Sequence, residues 1–393
     1  MDLDDEEQAR FAIVEDLDTG VRRVAAPLVP ARALVAGLLV ATMLVAAPAL
    51  LDLRTGTAPT VLNGSIAWAI DGDVLVGDPV TGLSRPLVAG PGIDRNPRFS
   101  PDGSRLAFLR QVPTDQRLFD LYVSGADGSA PVMVSAVPMA MPDAVVWSVH
   151  GSSLLVNEPD GRLSLYPTHG SPSRLLVDGV HLDAGALRPP AGAEVLYRRE
   201  ADSGTLYVMA RDGSRARLLA GPPAETCSCA VAGPARWSPD GRMIAFAIRL
   251  DDQESRLYVM DADGTGLRRL TEEAGPGIEQ DPIWSPLGDR IAFNRWQRNG
   301  GDWQVRPIGI VAVEGGPVQP VGVAPAAEGA LIEWSPDGRS ILSLPKTLID
   351  AYASYPNGTG SVARPVIIDI ADGAVREFDW SVGSIATWQR REP

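Results

Sequence analysis

Apolar residues in this chain follow two patterns. Between residues 33 and 51 they form one stretch without a charge; from about residue 64 onward they fall into short runs separated by polar turn formers. The short runs recur in a fixed order. Each full unit opens on an aromatic residue and a near-constant phrase: Phe99-Ser100-Pro101-Asp102-Gly103, Trp237-Ser238-Pro239-Asp240-Gly241, Trp284-Ser285-Pro286-Leu287-Gly288 and Trp334-Ser335-Pro336-Asp337-Gly338. Seven residues after the aromatic comes an apolar run: Leu106-Ala107-Phe108, Ile244-Ala245-Phe246, Ile291-Ala292-Phe293 or Ile341-Leu342. A second run follows a variable gap: Leu121-Tyr122-Val123, Leu206-Tyr207-Val208, Leu257-Tyr258-Val259, Val366-Ile367-Ile368. Most of these lead to an Asp-Gly pair, as at Asp127-Gly128, Asp212-Gly213, Asp263-Gly264 and Asp372-Gly373.

The chemistry suits four short antiparallel strands per unit. β-branched and aromatic residues fill the runs. In Ser-Pro-Asp-Gly, Pro sets φ, Asp bonds back to the backbone and Gly accepts positive φ. Asp-Gly builds the hairpin turn between the third and fourth strands. Two degenerate units keep the spacing. One has Trp147-Ser148 before Leu154-Leu155-Val156; the other has Leu187 before Val195-Leu196-Tyr197.

The ends complete the count. Ile66-Ala67-Trp68 and Val74-Leu75-Val76 match second and third strands but have no first strand before them. Ile385-Ala386-Thr387-Trp388 supplies one. Pairing of the N- and C-terminal strands would then close a ring. The expectation is an all-β propeller of seven blades of about 47 residues each, within the usual range for such repeats. Six blades is the alternative, if a degenerate unit is an insertion.

Phrases of the form Trp-Ser-Pro-Asp-Gly, Ile-Ala-Phe and Leu-Tyr-Val-Met-Asp-x-Asp-Gly resemble the TolB-type (WD40-like) β-propeller over roughly residues 64–390. The resemblance implies the propeller fold. TolB carries an α/β domain before its propeller, and no such domain is read here, so a role in the Tol–Pal envelope system is not implied.

Residues 33–51 predict one transmembrane helix. At 1.5 Å rise per residue, such a stretch just crosses a hydrocarbon core of about 30 Å. Arg22, Arg23 and Arg32 precede it, and only Asp52 and Arg54 closely follow. That bias puts residues 1–32 in the cytoplasm as a leader and, past a linker at 52–63, the propeller (64–393) outside. Ala47-Pro48-Ala49 resembles a signal-peptidase site, so secretion after cleavage is the alternative. Phe11, Val14, Leu17 and Val21 fall at helical spacing, which would suit a cytoplasmic partner. Membrane-anchored anti-sigma regulators share this layout, but the leader has no His or Cys for a zinc-binding motif.

Composition narrows the partners. The net charge is −14, which argues against nucleic acid. The three histidines, His150, His169 and His181, show no metal-ligand spacing, and no Gly-x-Ser-x-Gly elbow appears. Prolyl-peptidase propellers carry a hydrolase domain, for which the sequence leaves no room. The reading is therefore a protein without catalysis or cofactor. Asp261-Ala262-Asp263-Gly264 resembles the start of a calcium loop, with Glu272 at the twelfth position, but Thr265 stands where Asp or Asn belongs. A hairpin turn explains it better. Cys227-Ser228-Cys229 is the only cysteine pair; outside the cell it would form a small, strained disulfide or remain as two thiols.

Propeller geometry sorts the connections. The tight Ser-Pro-Asp-Gly and Asp-Gly turns share one face. The variable connections 111–119, 135–144, 221–234, 294–306 and 344–364 share the other, with Cys227 and Cys229. Long loops on a rigid scaffold are the usual place for binding. Arg295, Trp296, Arg298 and Trp303 in one loop, and Tyr352 and Tyr355 in another, are residue types enriched at interfaces. Three functions follow. The first is a tethered scaffold binding a protein or envelope ligand on this face. The second is a transmembrane sensor reporting to a cytoplasmic partner such as a sigma factor. The third is an enzyme working in the central channel, which requires titratable side chains converging there.

Overall fold

The computed structural model describes residues 13–16, 21–24 and 62–391, apart from 170, 200–204, 221–229, 273–276, 300–301, 323–328, 346–363 and 384–385. It is an all-β propeller of seven sheets, each built on four antiparallel strands. Six blades begin at inner strands Asp94–Phe99, Ala144–Trp147, Val180–Leu187, Ala230–Trp237, Gly277–Trp284 and Gly329–Trp334, and are numbered 1 to 6 in that order. Blade 7 takes strands from both ends of the chain: Thr387–Arg391 pairs with Leu62–Ile70, Trp388 opposite Ile66. Both degenerate units are complete blades, so the count is seven and not six.

The repeated phrase has a physical purpose at each of its positions. Trp147, Trp284 and Trp334 each donate their indole N–H to a backbone carbonyl of the preceding blade: Arg98 (2.9 Å), Arg236 (3.0 Å) and Ile283 (2.9 Å). The tryptophan therefore ties blade to blade, while its ring fills the seam between them. Ser238 donates its hydroxyl to Asp240 (2.6 Å) and accepts from the backbone N–H of Met243 (2.9 Å); Ser335 does the same with Asp337 (2.6 Å) and Ser340 (2.9 Å). In blade 5, Leu287 replaces the aspartate, and Ser285 bonds Asp289 instead (2.6 Å).

The final Gly is needed twice over. Gly241 has φ 68°, and a Cβ there would lie 1.9 Å from the carbonyl oxygen of Pro189 in the previous blade. The Asp261–Gly264 stretch is a hairpin turn: Asp263 accepts from the backbone N–H (2.9 Å) and hydroxyl (2.7 Å) of Thr265.

The core lies between blades and not within them. Leu196, Leu206 and Val208 of blade 3 pack with Val231, Trp237, Ile244 and Phe246 of blade 4. Where blade 7 meets blade 6, Trp68 stacks on Trp380 (ring centroids 4.8 Å) and Trp380 on Phe378 (4.1 Å). Trp68 donates to the carbonyl of Ser381 (3.0 Å) and Trp380 to that of Gly82 (2.8 Å).

Two short pieces of the leader are described. Ile13–Asp16 and Val21–Val24 are strands that pair with each other, and Val21–Val24 lies along Val375–Glu377 at the outer edge of blade 6, Val24 opposite Val375. No helix among the described residues is long and apolar enough to cross a membrane. Residues 33–51 lie outside the described residues.

Candidate functional site

On the face opposite the tight turns, two of the expected loops are strands. Residues 294–306 belong to an extended hairpin, Arg290–Asn299 with Asp302–Ala312, which stays paired out to Asn299 opposite Asp302. The expected loop at 111–119 is similar: Arg105–Val112 pairs with Asp115–Gly125, Gln111 opposite Phe119.

Register sorts the candidate residues of the blade 5 hairpin. Trp296 stands opposite Val305 and Arg298 opposite Trp303. Facing residues in a two-stranded ladder point to the same side. Trp296, Arg298, Trp303 and Val305 therefore form one side of the projecting ribbon. Arg298 is exposed, and both tryptophans are half-buried. Arg295 separates from this group: it lies on the other side, opposite Arg306, and is only 9% exposed. Tyr352, Tyr355, Cys227 and Cys229 lie outside the described residues.

Beneath the hairpins the structure adds a feature that motif reading missed. Asp94 and Arg110 are cross-strand partners in blade 1, and Glu279 and Arg295 hold the same relation in blade 5. Asp94 is 1% exposed and takes two bonds from Arg110, at 2.7 and 2.8 Å. The guanidinium also sits over Tyr122 (4.9 Å to the ring centroid) and Phe108 (5.5 Å). Burial pushes the Asp94 carboxyl up, against the pull of Arg110, while the bond to Asp94 raises Arg110. At the seam between blades 4 and 5, Thr271 donates its hydroxyl to Glu279, and the buried Arg256 of blade 4 pairs with Glu254 (3.1 Å) and donates to the Gly277 carbonyl of blade 5 (2.5 Å). Beside this network a cleft of ≈ 220 Å³ is lined by Arg249, Asp251, Glu254 and Gln280, among others. The signal was present in the sequence. The phrase extends upstream as Asp94-x-Asn96-Pro97-x-Phe99 and Glu279-x-Asp281-Pro282-x-Trp284. Asn96 (φ 50°) and Asp281 (φ 57°) take the left-handed conformation that makes the bulge before each proline.

The inner strands carry a second group. The residue before the aromatic of each inner strand is Arg98 in blade 1, Arg236 in blade 4, Glu333 in blade 6 and Thr387 in blade 7; in blades 2 and 5 it is Val146 and Ile283. Glu333 accepts the backbone N–H of Trp388 at 2.8 Å. Burial pushes its carboxyl up to about 7, opposed by Trp388 N–H, by the guanidiniums of Arg98 and Arg236, and by the Thr387 side chain. Glu333 is half-buried. Among the described residues, no group of three or more His, Cys, Asp or Glu could hold a metal ion.

Comparison with known proteins agrees on the fold. No family model matches the chain. A segment of 56 residues is 41% identical to a Bacillus subtilis protein named uncharacterized peptidase YuxL, covering 14% of this chain and 8% of that one. Oligogalacturonate lyase from Vibrio parahaemolyticus superposes with a TM-score of 0.55 at 12% identity, over 81% of this chain and 84% of the lyase. TolB from Acinetobacter baumannii does so with a TM-score of 0.46 at 13% identity, over 83% of this chain and 66% of TolB. At 12% identity the likeness to the lyase shows the propeller fold alone.

Proposed function

We propose that this chain is a membrane-tethered propeller outside the cytoplasm that binds a protein or envelope ligand on the face bearing its strand-two to strand-three hairpins. The blade 5 ribbon carries the reading. It projects from a rigid ring and gathers Trp296, Trp303, Arg298 and Val305 on one side. Aromatics and Arg on a preorganised element are the composition of an interface anchor. The chain's −14 charge suits a basic or neutral partner. Replacing Trp296 and Trp303 together by Ala should abolish partner retention and leave the melting temperature within about 2 °C, because surface changes usually cost under about 0.5 kcal/mol. Undiminished retention by that variant defeats the reading.

The tether rests on the uncharged stretch 33–51 and the arginines before it. Pairing of Val21–Val24 with blade 6 speaks the other way, since one span cannot leave the leader on the propeller's side. Labelling a cysteine placed at position 17 in intact cells separates the two: protection supports the span with an inside leader, and labelling supports the leader on blade 6. Deleting residues 1–25 should leave a pure binder active and silence a sensor. Closure of the ring by the terminal strands belongs to the same proposal, and removal of residues 385–393 should unfold the whole propeller cooperatively.

A channel enzyme is the second reading, favoured by one observation: Arg98 and Arg236, on the inner strands of two other blades, both act electrostatically on the Glu333 carboxyl.

A further inference from the structure

Blades 1, 3, 4 and 6 pass from third to fourth strand on a polar Asp-Gly, at Asp127, Asp212, Asp263 and Asp372. Blade 7 does not. Its turn is the longer Asp78-Pro79-Val80-Thr81-Gly82-Leu83, between strands Asp73–Gly77 and Ser84–Val88. Val80 is 71% exposed and Leu83 74%. The turn is firmly built. The Asp78 carboxylate accepts the N–H of Val80 (2.7 Å) and of Thr81 (3.3 Å), the Asp78 N–H donates to the Leu83 carbonyl (2.9 Å), and Gly82 takes φ 74°. Blade 6 and the connection after it hold the turn from the side: Arg376 donates to the Pro79 carbonyl (2.6 Å) and Trp380 to that of Gly82 (2.8 Å). A preorganised turn that presents two large apolar side chains to solvent is the form of a contact surface.

The chain enters the ring at the same corner. Leu62, 49% exposed, opens the second strand of blade 7 opposite Arg391. The register that sets Ile66 opposite Gly77, carried back along the strand, brings Leu62 beside the turn. Asn63 and Val80 line one cleft of ≈ 310 Å³ with Asp369, Asp372 and Arg376. Leu62, Val80 and Leu83 thus make an apolar tip on the tight-turn side of blade 7. Around it the charges nearly balance, Arg85, Arg376, Arg390 and Arg391 against Asp78, Asp369 and Asp372. The chain as a whole is −14, but this corner is neither driven from an anionic surface nor drawn to one.

The preceding sequence identifies what covers the tip. Only residues 52–61 separate the uncharged stretch 33–51 from Leu62. By any path, those residues reach at most about 35 Å. With 33–51 across a bilayer, as proposed above, the tip is held near that bilayer at high effective concentration, where burial of a few side chains suffices. We propose that the blade 7 tip seats in this bilayer, with Leu62, Val80 and Leu83 entering the boundary between headgroups and acyl chains. The ring is then oriented with its hairpin face away from the membrane and open to a partner. The inference rests on the tether, whereas the tether does not require it.

The test uses the full chain with Cys227→Ser and Cys229→Ser, labelled with a fluorophore at Leu83→Cys or at Val137→Cys and reconstituted in phosphatidylcholine vesicles. Val137 is matched in exposure (71%) but lies in the connection 135–144 on the hairpin side. A nitroxide near the top of the acyl chains should quench position 83 roughly twofold and leave position 137 nearly unchanged. Val80→Asp should reverse the quenching at 83, and added phosphatidylglycerol should not increase it. Resistance to alkaline extraction reads the tether separately. A chain retained by the vesicles but unquenched at 83 overturns the tip and leaves the tether standing. Equal quenching at 83 and 137 overturns the tip as well, and a chain neither retained nor quenched overturns both.

Discussion

Glu333 gives the most quantitative prediction. Its ordinary value of 4.5 is raised to about 7 in the fold. A carboxyl raised in the folded state holds its proton more tightly there than in the unfolded chain. Its contribution to stability is therefore fully present below about pH 4.5 and is lost as pH rises through about 7. At about 1.4 kcal/mol per pKa unit the full effect is roughly 3 kcal/mol. That is an upper figure, because the group is only half-buried. Glu333→Gln preserves an oxygen for the Trp388 N–H and removes the titration. The assay is urea unfolding from pH 4.5 to 8.5, followed by tryptophan fluorescence. The wild type should lose about 2–3 kcal/mol relative to Glu333→Gln across this range. Asp94 is raised by the same cause, burial, and is common to both proteins, so it cancels in the difference. Parallel profiles for the two proteins refute the reasoning.

The remaining predictions concern the scaffold. Gly241→Ala brings a Cβ to 1.9 Å from the Pro189 carbonyl at φ 68°, and should cost about 3 kcal/mol or more in chemical denaturation. Trp334→Phe keeps the ring but removes the bond to Ile283 (2.9 Å); an orphaned carbonyl at the blade seam should cost about 1–2 kcal/mol, read as a shifted midpoint without a changed m-value. Arg110→Met leaves the buried Asp94 carboxylate without its counter-charge and should cost about 3–5 kcal/mol, much of which Asp94→Asn in the same chain should restore.

The ring was legible because its physics repeats. The Trp-Ser-Pro-Asp-Gly phrase makes recurring demands: an indole bonded to the preceding blade at Trp334, a serine–aspartate bond across the turn at Ser238 and Ser335, and a glycine at positive φ at Gly241 and Gly338. Leu287 looked like a lapse, and only coordinates reveal that Asp289 takes over the bond. The hairpin of blade 5 was readable but was taken for a loop. Asn299-Gly300 is a hairpin signal, masked by polar residues that leave no alternation of core and solvent sides once a ribbon projects beyond its sheet. Arg98, Arg236 and Glu333 are separated by roughly a hundred residues or more along the chain. Only the fold brings both arginines within electrostatic reach of Glu333.

Repeated residues build the ring, and in the function proposed above the blade 5 ribbon, which does not repeat, meets the partner. The most direct test places a photo-crosslinking amino acid at Trp303 on the ribbon, or at Leu287, which is 62% exposed on the tight-turn face, in the full chain in its native cells. Crosslinked partner from position 303 and none from 287 is the predicted result. Equal crosslinking from both, or crosslinking from 287 alone, contradicts it.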